Sequence, residues 1–162
     1  MSIVRKAEVE WIGGFTDGEG KVLSTTSGVL PELDVNWQSR LDEDAPQTTP
    51  EELLAAALAS DFAMQFTSGL VGLGWEPEEM SVNCEVAFEI GLGITEAKLI
   101  ARVTVDGLTD EQIFDTAHRA RIMAPLGRAL TGIDIVLELP ELILEDEDED
   151  EDEAEVSATS ED

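Results

Sequence analysis

Period-two alternation opens the chain. Ala7, Val9 and Trp11 are separated by Glu8 and Glu10, which predicts a half-buried strand. Gly13-Gly14 and Asp17-Gly-Glu-Gly20 supply a turn into a second strand around Lys21 to Thr26. Ser27-Gly28 and Pro31 break it, and Leu33 to Trp37 reads as a third strand with Arg40 just past its end. A polar loop, Leu41 to Thr48, follows before the period changes. Thr49 is a good N-cap, Pro50 suits the first helical position, and Glu52 stands three residues after the cap, so a capping box opens a helix. That helix is apolar almost all round, with Ser60, Asp61, Gln65, Thr67 and Ser68 as its polar interruptions before Gly69. Such a helix is expected to be buried on most faces, inside the domain or against a second subunit.

Past Pro77 the alternation returns. Val82, Cys84, Val86 and Phe88 share one face, and a Gly91-Leu-Gly93 turn leads to Ala97, Leu99, Ala101, Val103 and Val105 on the same face of a hairpin partner. Thr109 and Gln112 form a second capping box, followed at helical spacing by Phe114, Ala117, Arg121 and Ala124. Pro125 must kink or restart this helix, which is expected to run through Leu130 to a stop at Gly132. Ile133 to Leu139 alternates as a last strand. The order βββ-α-ββ-α-β predicts an α+β fold with largely antiparallel sheets and two helices. The long helix is more apolar than one sheet face can cover, which predicts a homodimer that shares its core.

Charge divides the chain. The formal net charge is -28; Glu145 to Asp162 holds twelve acids and no base, so residues 1–144 carry twenty-five acids against nine bases, or -16. We therefore expect one domain over 1–144 and a disordered acidic tail over 145–162. Nucleic acid is excluded as an expected partner, because phosphate contacts need clustered Lys and Arg. The acidity of the body matches a halophilic protein, since the Debye length shrinks to ~3 Å at 1 M salt and self-repulsion is screened. No signal-like apolar start and no unbroken membrane-length run are read, so a cytoplasmic protein with no membrane partner is expected. With one cysteine and one histidine, neither an intramolecular disulfide nor a metal cluster is expected, and no cofactor is implied.

Several stretches carry a resemblance. Val9-Glu-Trp-Ile-Gly13, Gly18-Glu-Gly20 and Ser24-Thr-Thr-Ser-Gly-Val-Leu30 look like the N-terminal signature of the osmotically inducible protein C (OsmC) family. Thr49-Pro-Glu-Glu-Leu-Leu-Ala-Ala-Ala57 resembles its helix start, and Ala120-Arg-Ile-Met-Ala-Pro125 its second motif. The signature is closer to the OsmC branch than to the organic-hydroperoxide-resistance branch. The resemblance implies an OsmC-like intertwined homodimer acting as a thiol peroxidase in oxidative and osmotic stress, with sites at the subunit interface. One cysteine of the long helix would attack the peroxide, and a second, before the Pro of the later helix, would resolve the sulfenic acid. An arginine and a glutamate would hold the first as thiolate. Arg40 and Glu51 match that pair, but Asp61 stands at the attacking position and Ala124 at the resolving one. Thiolate chemistry has no substitute in Asp or Ala, so by the family mechanism this chain is expected not to be a peroxidase but a non-catalytic member with a binding or structural role in stress response. The alternative is a peroxiredoxin-like hydroperoxide reductase, active by descent or through an unfamiliar mechanism.

Asp61 is the residue local propensity does not ask for: a carboxylate near the face of Leu54, Ala57, Leu58 and Met64, far from the helix start. Either it pairs with Arg40 in a site that only holds the fold, or Arg40 binds a small anionic or carbonyl ligand and Asp61 serves as base or acceptor. Such a small organic ligand would sit at the dimer interface. Cys84 is expected to be an inert core residue. His118 is expected to be partly exposed, and Arg119, Arg121 and Arg128 to pair with acids across the dimer or to bind a small anion.

Overall fold

The computed structural model describes residues 2–42 and 44–142. The expected acidic tail lies outside the described residues. Ten elements follow in order: strands β1 (Ala7–Ile12), β2 (Glu19–Thr25) and β3 (Leu33–Asn36), a 3-10 turn (Gln38–Arg40), helix α1 (Pro50–Gly72), β4 (Glu79–Glu89), β5 (Gly93–Thr104), α2 (Asp110–Met123), α3 (Pro125–Ala129) and β6 (Asp134–Glu138). The expected α+β order is present, with the second helix divided at its proline. Pro125 lacks an N–H and pushes Ala124 out of helical geometry (φ -55°, ψ 128°), so α2 stops and α3 restarts.

Two three-stranded sheets result, β1-β2-β3 and β4-β5-β6. The first is antiparallel throughout. In the second, β4 and β5 form a long antiparallel hairpin, while β6 returns through α2 and α3 to lie parallel to β5. Val82, Cys84 and Val86 stand opposite Ala101, Leu99 and Ala97, on the face that α1 and α2 cover. Phe62, Phe66 and Leu70 of α1, Leu99 and Ala101 of β5, and Ile113, Ala117 and Ala120 of α2 form the core. Both capping boxes are in place: Glu52 N–H donates to Thr49 Oγ1 and Gln112 N–H to Thr109 Oγ1, each at 3.2 Å.

Two burial expectations need correction. β1 is a strand, but every residue of it is exposed rather than half-buried. The contacts of the first sheet fall mainly among its own strands, so burial is confined to Gly20 and Val22 of β2, while their partners Trp11 and Val9 stay exposed. Likewise α1 buries one stripe (Leu58, Phe62, Phe66, Leu70) and leaves Met64 67 % exposed. One sheet and one helix reach only part of its circumference. By length and composition α1 resembles a membrane span, yet it packs on β4 and α2 within the domain.

The N-terminal glycines have a packing reason. Trp11 pairs with Gly20 across β1 and β2 and lies over both Gly18 and Gly20, where a Cβ would meet the indole at 2.7 Å and 2.6 Å. Only glycine fits under the ring without displacing it.

Candidate functional site

Local chain geometry delivers Arg40 first. Asn36 ends β3, and its side-chain Oδ1 accepts the Ser39 N–H at 2.8 Å while its carbonyl accepts the Ser39 hydroxyl at 2.8 Å. These bonds wind the 3-10 turn and project Arg40 toward the start of α1. There Glu51 stands in the first helical turn, where the helix dipole favours a carboxylate. Arg40 Nε donates to Glu51 Oε2 at 3.2 Å and Nη2 approaches Oε1 at 3.1 Å, a two-point ion pair. The Glu51 side chain is 10 % exposed and that of Arg40 25 %. The guanidinium also lies 5.4 Å from the Trp37 ring centroid and 5.1 Å from that of Phe88. Trp37 and Phe88 meet edge-to-face at 6.3 Å, so this arginine joins the first sheet to the second.

Beside the pair lies a cavity of about 370 Å³, with Arg40, Glu51, Ala55, Cys84, Val86 and Phe88 in its wall. Here the expectation for Cys84 needs correction. Its strand face is the inward one, but at this height α1 presents Ala55 and Glu51, too small or too polar to close over it. The thiol is therefore half-buried at a cavity wall instead of sealed in the core. Burial, and then the Glu85 carboxylate, push its pKa up, so it stays a protonated thiol at neutral pH.

Asp61 does not pair with Arg40. It is ten residues beyond Glu51, about 15 Å along the helix axis. Its Oδ2 instead accepts the N–H of Leu126 at 2.8 Å, at the start of α3. Ala124, the residue before Pro125, is buried (4 % exposed) at the same corner. The four family-site positions thus form two clusters, Arg40 with Glu51 and Asp61 with the corner at Ala124.

The basic cluster also separates. Arg121 Nη1 donates to the Ile135 carbonyl at 2.8 Å, and its Nε is buried without a hydrogen-bond partner, so this guanidinium ties α2 to β6 rather than facing a solvent anion. Arg119 and Arg128 are exposed. His118 is half-buried with its ring 4.1 Å from that of Phe114; burial and then Arg121 lower its pKa, against Asp115. Among the described residues no group of three or more His, Cys, Asp or Glu is placed to hold a metal ion. Sequence reasoning missed the aromatic bracket around Arg40. Trp37, three residues before Arg40, was a usable signal, whereas Phe88 comes from a distant strand at a register shift.

Comparison with known proteins settles the family. A model of the family described as OsmC-like protein matches residues 42–138. The chain belongs to the OsmC family. Its sequence is 32 % identical over 134 residues to the peroxiredoxin OsmC of Escherichia coli K12, covering 80 % of this chain and 92 % of that protein. Its fold is similar to that of the Legionella pneumophila organic hydroperoxide resistance protein OsmC, with a TM-score of 0.63 at 23 % identity, covering 83 % of this chain and 96 % of that one. The Bacillus subtilis organic hydroperoxide resistance protein OhrB matches at 0.59 and 23 % identity, over 83 % and 97 % of the two chains. The OsmC-like match includes Glu51, Asp61 and Ala124 and begins two residues after Arg40.

Proposed function

We propose that this chain is a non-catalytic OsmC-family protein, a homodimer with a binding or structural role in stress response. One observation carries this reading: the Asp61 carboxylate is engaged by the Leu126 N–H, and the Ala124 methyl is buried beside it. Both positions at which the family resemblance implies thiols are here committed to packing. Relatives named as a peroxiredoxin and as hydroperoxide resistance proteins supply the stress context. The ligand site is the cavity beside Arg40. Glu51 takes two of the guanidinium donors and leaves the others for a ligand oxygen, while Ala55, Val86 and Phe88 offer apolar wall. Asp42 and Glu52 also line it, which disfavours a strongly anionic ligand and favours a neutral carbonyl or hydroperoxide. The dimer is supported by exposed Val9, Trp11 and Ile12 on β1 and by exposed Met64 on α1. Light scattering is expected to give twice the 17.5 kDa chain mass.

Cys84 favours a second reading, a hydroperoxide reductase using the cavity thiol. Its thiolate would attack the peroxide oxygen, expel the alcohol and become a sulfenic acid, and an external dithiol would return it with release of water. Its raised pKa weighs against this route. Consumption of cumene hydroperoxide with dithiothreitol decides between the two. The first reading expects no turnover above the blank, and turnover only when D61C and A124C are combined. Turnover by the unaltered protein that disappears in C84S would establish the second.

A further inference from the structure

We propose that Asp61 is a clasp: a capping residue for α3 supplied from α1, which holds the α2–α3 corner closed and whose loss frees that corner without unfolding the sheet core. The local sequence leaves α3 without a cap of its own. Ala124, at its N-cap, has no side-chain acceptor, and no side-chain cap bond is made there. Pro125 at the first position has no N–H, so Leu126 carries the first free amide of the helix. The acceptor for that amide arrives from sixty-five residues away, Asp61 Oδ2 at 2.8 Å. A carboxylate suits this role, because a charge-assisted bond to a backbone N–H is stronger than a neutral one.

Little else fastens the corner. α3 has five residues, none of them buried, and none belongs to the buried core cluster. The Arg121 bond to the Ile135 carbonyl holds the last turn of α2 to β6 on the near side of the break. Beyond the break, the Asp61 contact is the polar tie between α3 and α1 among the described residues. A segment with so little buried apolar surface opens at low free energy, so one charged hydrogen bond sets its protection. The Ala124–Pro125 peptide, extended before the proline, is the point about which it would swing.

Amide hydrogen exchange followed by NMR tests this independently of any peroxidase assay. In D61A, Leu126 and the α3 amides after it are expected to exchange at least tenfold faster, with β5 amides unchanged. In D61N, which keeps a neutral acceptor oxygen, the acceleration should be clearly smaller. Unchanged protection at Leu126 in D61A would overturn the proposal. So would equal acceleration across α3 and β5, since that is global destabilisation. Should D61A not fold, the unaltered protein decides: a scalar coupling across the hydrogen bond between Leu126 nitrogen and the Asp61 carboxylate carbon is expected, and its absence in a well-resolved spectrum refutes the clasp.

Discussion

At the scale of single residues, the balance between charge and burial decides most of the behaviour. Glu51 is buried with Arg40 gripping it at two points. Breaking a buried pair by removing one partner costs ~3–5 kcal/mol. Because a quarter of the Arg40 side chain reaches solvent, R40A should fall at or below the lower end of that range in urea denaturation. R40K keeps the charge but loses the two-point geometry and the aromatic bracket, so an intermediate loss is expected. For Cys84, desolvation disfavours the thiolate. Alkylation of native protein at pH 8 should therefore be slower than in urea. Its rate should keep rising with pH beyond the usual thiol value of about 8.5. A native rate equal to that in urea at pH 8 would contradict the assigned environment.

At the scale of elements, much of the fold is legible in the chain itself. Thr49 with Glu52 and Thr109 with Gln112 marked both helix starts, and both boxes are closed in the structure. Replacing either threonine by alanine removes an acceptor for an end amide and should cost ~0.5–2 kcal/mol, read as a lowered urea midpoint. Pro125 gave away the break in the second helix for an equally local reason. The failures were all non-local. Nothing near Asp61 in sequence points to Leu126, sixty-five residues on, and pairing with Arg40 is one of the two readings the sequence leaves open. Alternation placed Cys84 on the correct face of β4 but carried no information about how far α1 covers that face. The alternation in β1 marks a strand, whereas all six of its residues are exposed in the structure, because period two gives the faces of a strand and not what packs on them.

At the scale of the whole molecule, the acidic excess is the dominant fact. Residues 1–144 alone carry -16, and ion pairs such as Lys21 with Glu32 and Asp34, or the partly exposed Lys98 with Glu138, lie at the surface and contribute little. Self-repulsion should therefore limit stability in dilute buffer. Raising KCl from 0.1 M to 1 M shortens the Debye length from about 10 Å to about 3 Å and is expected to raise the Tm by several degrees. A Tm that stays flat or falls over that range would remove the argument for a salt-adapted protein.

The Arg40 bracket has a practical consequence. Trp37 is in contact with the cavity's guanidinium, whereas Trp11 lies over Gly18 and Gly20 and Trp75 over Gly107. Cation contact perturbs indole emission, so the protein carries its own optical probe beside the arginine of its candidate site. Titrating small carbonyl compounds while watching intrinsic fluorescence, with W11F and W75F removing the background, would screen for what this chain holds without any label.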